Sequence, residues 1–473
     1  MRVPLHARGE TTVPSDQYDL VVIGSGPAGQ KGAIAAAKLG KRVAIIDRSE
    51  MLGGVCIHGG TIPSKTLREA ILHLTGFRHR SFYGNDYTVK GRISMRDLSS
   101  RVTQVVERET SVVRDQLRRN GIDLLAGTGR FIDSQTVEVQ GPEKLHTLNA
   151  LNILIACGTR PADHPEIPFD GKRILASDQI LQMEEIPKEM IVVGGGVIGL
   201  EFASMLTALG VEVTLIEQRP VLLDFVDAEI IEALSYHMRR QGAIFRLGEK
   251  VTGVELDDSG RVTARLESGK RIRGDALLHA VGRQANTDLL NLEAAGLSAG
   301  PRGKLQVNEY FQTANPHIYA AGDVIGFPSL AATSMEQGRL ASSHMFGRPG
   351  RTAPELLPYG IYTIPEISMV GQTESSLTNA RVPFEVGISK YEELAKAQIV
   401  GDHTGLLKLL FHPDTKKILG VHAMGENAAE IVHIGQAVLS LGGTMEYFRD
   451  TVFNYPTFAE AYKVAGLDGL NKL

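Results

Sequence analysis

The sequence predicts an α/β architecture in which one βαβ unit is used twice and a separate α+β domain closes the chain. Three observations carry this. A strand, a Gly-x-Gly-x-x-Gly turn, a helix and a second strand occur at 18–47 and again at 191–217. The two copies align without a gap at an offset of 170 residues (194 − 24), pairing Gly24 with Gly194, Gly40 with Gly210 and Asp47 with Glu217. The last third lacks the pattern and mixes short β-type runs with one helix-periodic segment.

Bulk properties narrow the function classes. The 473 residues suffice for about three domains at roughly 150 residues each. Hydrophobic content of 43% and charged content of 22% suit a globular chain. A net charge of −4 without any Lys/Arg run offers no field for nucleic acid. No apolar run approaches the roughly 18 residues of a membrane span, so no membrane partner is expected. Residues 1–17 are polar, carry both charge signs and lack a signal-peptide core, and read as a disordered extension. Two cysteines do not make a disulfide scaffold, and a cytoplasmic location is expected.

In the first unit, the β-branched run 18–23 meets Gly24-Ser25-Gly26-Pro27-Ala28-Gly29, then an alanine-rich helix to Leu39, a stop at Gly40, and a strand at 42–46 ending on Asp47. Gly24 and Gly26 let backbone amides approach a pyrophosphate at the helix N-terminus, and Gly29 lets the helix pack on the strand. Asp47, 23 residues after Gly24 (47 − 24), would accept from a ribose. Gly194, Gly196, Gly199 and Glu217 repeat the arrangement. Two in-register units of this kind make both domains Rossmann-like, and two dinucleotides are the expected ligands.

A polar helix is expected at 95–120 and alternating strands such as 136–139 follow it. The strand 151–156 runs into Gly158 and Pro161, a crossing between domains, with Cys157 a small core residue. A return crossing falls at 276–283, ending on Gly282-Arg283. The strand 318–321 ends on Gly322-Asp323 ahead of a helix at 329–345. After a proline-rich linker at 349–358 come strands at 385–389, 406–411 and 418–423. A helix at 428–441 carries the stripe Ile431, Ile434, Val438 and Leu441, as an interface domain would, and its His433 reads as packed or on the surface. The expected domains are therefore 18–160, 161–283, a return segment at 284–348 that rejoins the first, and 349–473.

Residues 53–65 read Gly-Gly-Val-Cys-Ile-His-Gly-Gly-Thr-Ile-Pro-Ser-Lys. A Cys-x4-Cys pair at this spacing would form a redox-active disulfide, but Cys56 stands alone and Thr61 takes the second position. With the two units and Ala320-Ala321-Gly322-Asp323, this stretch makes the chain similar to the flavoprotein disulfide reductases from about Tyr18 to its end. The resemblance implies FAD on the first unit, NAD(H) or NADP(H) on the second, and a C-terminal domain that builds a two-fold homodimer or higher homo-oligomer; it implies no metal. It assigns Gly24, Gly26, Gly29, Asp47 and Asp323 to FAD, and Gly194, Gly196, Gly199 and Glu217 to the nicotinamide nucleotide. Gly54, Gly158 and Gly282 join the cofactor-binding set. Lys65 matches the lysine beside flavin N5 and Glu201 its ion-pair partner, and the N-terminus of the 329–345 helix would face N1 and C2=O.

Two positions depart from that family. One is Thr61; the other is Tyr455, in Phe453-Asn454-Tyr455-Pro456-Thr457, where the family has the base of a His-Pro-Thr segment, while the orienting acid remains as Glu460. A dithiol mechanism needs both sulfurs and a base of near-neutral pKa, and tyrosine at about 10 is a poor one. Hydride exchange with the flavin survives both losses. The implied activity is an FAD-dependent NAD(P)+ transhydrogenase, moving hydride between NADPH and NAD+ by ping-pong exchange in one nucleotide pocket without a redox disulfide. Lys65, Glu201, Thr61, Tyr455 and Glu460 would carry it. Glu217 favours the free 2′-OH of NAD(H), and Arg219 would meet a 2′-phosphate if Glu217 turned away. The alternatives are an NADH-driven diaphorase or quinone reductase, and a flavin-binding redox sensor or scaffold.

Overall fold

The computed structural model describes residues 17–84, 86–348 and 356–473. The extension expected at 1–17 lies outside the described residues except for Gln17, as does the 349–355 part of the expected linker. The chain forms two compact units.

The first unit gathers the described parts of Met1–Gly54, Val112–Gly158 and Ala285–Ala353. Its seven-stranded sheet runs Asp123–Ala126, Val43–Asp47, Gln17–Ile23 and Leu145–Ile155 in parallel, with Ile318–Ala320 also parallel to the last. Leu145–Ile155 is longer than the strand expected at 151–156. Its first half pairs antiparallel with Thr136–Gln140, burying Leu148 and Ala150 between exposed neighbours, and its second half enters the parallel core. Val21, Ile23, Ile46, Ile153 and Ile155 centre that core, as continuous apolar strands covered on both faces do. Cys157 packs against it, and burial pushes its thiol up to about 12.

Helices Pro27–Lys38 and Ala331–Met345 touch through glycine. A Cβ on Gly338 would lie 2.0 Å from the Ala28 carbonyl oxygen, and Ser342 Oγ donates to Gly32 O at 2.7 Å. The second helix begins at Ala331 rather than 329 because Ser329 holds φ +42°, outside helical space.

The second unit joins Val55–Ser111, Thr159–Gln284 and the described part of Pro354–Leu473. Its parallel sheet runs Ile244–Leu247, Glu212–Glu217, Glu189–Val193, Ala276–His279 and Ile174–Ala176. The helix Val197–Ala208 is buried along nearly its whole length. The antiparallel ribbon Val251–Leu256, Val262–Leu266 and Arg271–Gly274 shares a core with the sheet through Ile191, Val193, Ile216 and Leu277.

A five-stranded antiparallel sheet, Tyr359–Ile361, Ile367–Gly371, Ile418–Met424, Leu406–Phe411 and Glu385–Lys390, forms the C-terminal part. Helices Ala428–Ser440 and Glu460–Leu470 cover it around Tyr391, Phe448 and Tyr462. Leu441 leaves the expected stripe: the helix ends at Ser440, Gly442 follows at φ +68°, and Leu441 is 87% exposed. His433 is exposed, its Nδ1 2.8 Å from Gln436 Oε1. The fully buried Lys408 ammonium meets Asp227 and Glu229 at 2.8 Å each, and Glu374. These carboxylates converge on that ammonium. Among the described residues, no helix is long and apolar enough to cross a membrane.

Candidate active site

The first glycine turn is held in its shape by close backbone approach. Gly24 adopts φ +105°, donates to Ile46 O at 2.8 Å, and would bring a Cβ within 2.3 Å of Ala156 O. A Cβ on Gly29 would lie 1.9 Å from Gly24 O, so only glycine lets the helix start here. A Cβ on Gly26 would meet nothing within 4 Å. That open side, at the N-terminus of a 12-residue helix with Pro27 in its first turn, is where a pyrophosphate fits.

The second turn repeats these contacts almost atom for atom. Gly194 has φ +104° and donates to Ile216 O at 2.8 Å; Gly199 would place a Cβ 1.9 Å from Gly194 O; Gly196 opens on empty space. The residues present therefore fit a dinucleotide phosphate at each turn.

The strand-end acids are bound differently. Asp47 Oδ2 accepts from both Ser25 N and Ser25 Oγ at 2.6 Å, and its Oδ1 accepts from Arg48 N at 2.8 Å. Burial raises the Asp47 pKa, against the lowering effect of those donors. Ser25 Oγ also accepts from Gly53 N at 2.9 Å, tying the Gly53-Gly54 loop to the turn, where a Cβ on Gly54 would lie 2.8 Å from Gly26 Cα. Glu217 Oε2 accepts from Gly195 N at 2.6 Å, and Oε1 from Arg219 N at 2.9 Å and Nε at 3.0 Å. Burial opposes ionisation of Glu217, but the Arg219 and Gly195 donors outweigh it and lower its pKa. Glu217 thus does not turn away from Arg219; the two are paired.

Asp323 follows Gly322 (φ +83°) beyond the strand Ile318–Ala320, and Ala321 N donates to Ile155 O at 3.1 Å, setting this segment beside the end of the central strand. Gly158 (φ +64°) accepts from Asn286 N at 3.1 Å. In the second unit Gly282 (φ +81°) accepts from Ala162 N at 3.2 Å.

Thr61 and Lys65 lie four residues apart on the helix Thr61–Leu74, hence on one face. Lys65 Nζ donates to Glu201 Oε1 and Oε2 at 2.9 and 2.7 Å, and Glu201 is almost fully buried on Val197–Ala208. Tyr362 touches both partners: its N–H donates to Glu201 Oε1 at 2.8 Å, and its ring centroid lies 4.9 Å from Lys65 Nζ. Ser204 Oγ donates to Glu201 O at 2.8 Å and accepts from Ile364 N at 3.1 Å, fixing the same segment.

The remaining pair is not joined. Tyr455 is 67% exposed, Glu460 opens the last helix with Oε2 shielded and unpartnered, and no hydrogen bond links them. Sequence reasoning passed over Ser25, which occupies a variable position between motif glycines, and Tyr362, 297 residues (362 − 65) from the lysine it covers.

Family models match the whole of this arrangement. "Pyridine nucleotide-disulphide oxidoreductase" matches residues 18–338, and the dimerisation domain of the same family matches 357–465. The chain belongs to the pyridine nucleotide-disulphide oxidoreductase family.

Members of that family similar to it include a soluble pyridine nucleotide transhydrogenase of Mycobacterium bovis, 55% identical over 97% of this chain and 98% of the relative. Another, of Pectobacterium atrosepticum, carries the same name and is 47% identical over 96% and 98%. Among solved structures, LpdA from Mycobacterium tuberculosis superposes with a TM-score of 0.88 at 26% identity, covering 96% of this chain and 99% of that one. A Cu(II) complex of the HOCl-induced flavoprotein disulfide reductase RclA from Escherichia coli gives 0.87 at 27%, covering 96% and 100%.

Proposed function

We propose that this chain is an FAD-dependent NAD(P)+ transhydrogenase that moves hydride between NADPH and NAD+ by ping-pong exchange in one nucleotide pocket. The observation that carries the reading is the intact Lys65–Glu201 pair beside a Thr61 that bears no sulfur. The names of the similar relatives support it. Gly24, Gly26, Gly29, Gly54, Asp47, Gly158 and Asp323 would hold FAD; Gly194, Gly196, Gly199, Gly282, Glu217 and Arg219 would hold the nicotinamide nucleotide. Bound there, FAD supplies a ring that takes a hydride from one nicotinamide and yields it to another.

The side chains match the balance of that reaction. NADPH and NAD+ become NADP+ and NADH with no net proton taken up or released, so no base of neutral pKa is required. Tyr455 in place of a histidine is then no defect. Lys65, gripped by both oxygens of Glu201 and faced by the Tyr362 ring, holds a positive charge in one place, which is the preorganisation that favours an electron-rich reduced ring. Thr61, one turn before Lys65, presents a hydroxyl that cannot attack a disulfide.

We further assign 18–160 with 284–348 to one nucleotide domain, 161–283 to the other, and 349–473 to a homodimer interface in a cytoplasmic enzyme. Anaerobic stopped-flow mixing with NADPH, then NAD+, tests the activity. Bleaching of the flavin absorbance followed by its recovery is expected, and a flavin that stays oxidised overturns the reading. An NADH-driven quinone reductase is the competing reading, favoured by the ionised Glu217 at the ribose position; a quinone that outpaces thio-NAD+ as acceptor would select it.

A further inference from the structure

The second turn holds its arginine between two carboxylates. Arg219 Nε reaches Glu217 Oε1 at 3.0 Å, and a terminal guanidinium nitrogen, Nη1, reaches Asp224 Oδ1 at 3.2 Å. Asp224 comes back to the arginine through an unusual backbone: Leu223, fully buried, adopts φ +41°, a left-handed conformation disfavoured for a side chain of its shape. Val226 N donates to Leu223 O at 2.8 Å and secures the bend, while Gly248 N donates to Arg219 O at 3.0 Å and secures the other side. The charges at this corner are therefore two negative and one positive.

We infer that Asp224 is a specificity-determining residue for the nucleotide, discriminating against a ribose 2′-phosphate by occupying Arg219 and adding a negative charge beside it. This rests on the assignment of the second turn to the nicotinamide nucleotide. A strand-end acid meets the ribose 2′-OH, and a nearby arginine is what accommodates a 2′-phosphate. A phosphate monoester carries about −1.5 to −2 charges at neutral pH, so on the guanidinium it would share Arg219 with Asp224 and approach that carboxylate's charge. Glu217 is anchored to Gly195 N as well as to Arg219 and cannot easily leave. Asp224, 59% exposed in its side chain, is the partner that can swing into solvent, and it sets how much of the arginine is available.

The test is equilibrium binding of 2′,5′-ADP and 5′-AMP to the full-length protein and its Asp224→Asn variant, by calorimetry. Asparagine keeps an acceptor for Arg219 and removes only the charge. The variant is expected to bind 2′,5′-ADP about tenfold more tightly at low salt, 5′-AMP within about twofold of the original protein, with the gain shrinking at about 1 M salt as screening requires. The gain should vanish in an Arg219→Ala background. Unchanged 2′,5′-ADP binding beside normal 5′-AMP binding overturns the role of Asp224 alone, as does equal weakening of both ligands, which would mark a structural role. If neither ligand binds the original protein, the assignment of the second turn falls, and the proposed function with it.

Discussion

The two glycine turns share their backbone and differ in what covers them. Both place the first glycine at φ near +105° and both force the third against the carbonyl of the first. Around Gly26, however, the cover is a second loop: Ser25 Oγ links Asp47 to Gly53. Around Gly196 it is a hydrophobic and ionic roof, for a Cβ on Gly195 would fall 2.5 Å from Leu222 Cδ2, with Glu217 and Arg219 beyond. The first turn is closed by a hydroxyl bridge between a strand end and a neighbouring loop, the second by an ion pair whose arginine is partly exposed.

The largest effects should come from the shared feature. Gly29→Ala and Gly199→Ala each push a methyl group into a backbone oxygen, and overpacking of this kind costs about 1–3 kcal/mol or more. Gly29→Ala is expected to be isolated without flavin, whereas Gly199→Ala should keep its flavin and lose nicotinamide nucleotide affinity at least tenfold. Absorbance at the flavin band after gel filtration, with nucleotide titration, reads both. If the two variants lose the same ligand, the turns do not serve different molecules.

Exchanging the residues that differ gives an intermediate effect. Ser25→Gly removes one hydroxyl that makes three contacts, at a cost of about 1–2 kcal/mol, and should loosen flavin retention roughly tenfold. Gly195→Ser should weaken nucleotide binding through the Leu222 collision and leave flavin content unchanged. Chemical denaturation with and without added FAD separates the two losses.

The smallest effect is one of sign. Asp47, raised mainly by burial, disfavours its own ionised form: in flavin-free protein, stability falls as pH rises from the unfolded value of about 3.9 through the higher folded one. Glu217, lowered because Arg219 and Gly195 donors outweigh burial, contributes stability above about 4.3 that is lost as pH falls through its lower folded value. Relative to the original protein, flavin-free Asp47→Asn should gain stability as pH rises from about 4 to 7 and Glu217→Gln should lose it, each by on the order of 1 kcal/mol after solvent screening. Urea titrations of the ligand-free protein check this, and shifts of the same sign would erase the contrast.

Much of this fold was legible in the sequence because its signals are local. A glycine turn, an acid at a strand end and a β-branched run each constrain a few neighbouring residues, so the in-register repeat announced both parallel sheets. Contacts that close over long separations left no such trace. Tyr362 covers Lys65 and Lys408 binds Asp227 across 181 residues, and no periodicity predicts either. The sequence leaves open whether Glu217 turns aside from Arg219; Glu217 is instead anchored by Gly195 N and by the Arg219 backbone and side chain, and Asp224 is brought to the same arginine by the bend at Leu223, none of which composition reveals. The 428–441 stripe misled at its last position, where the helix had already ended at Ser440.

Cys157 has a thiol that hardly ionises at neutral pH, pushed up to about 12 where it packs against the first core, and Thr61 offers an alcohol where a Cys-x4-Cys pair would carry its second sulfur. Only thiolates climb readily from sulfenic to sulfinic and sulfonic acid. An arsenical that disarms a dithiol enzyme by chelating both of its sulfurs would meet only Cys56 in the 53–65 stretch, with the Thr61 alcohol in place of a second sulfur, and so would find no thiol pair there to bridge.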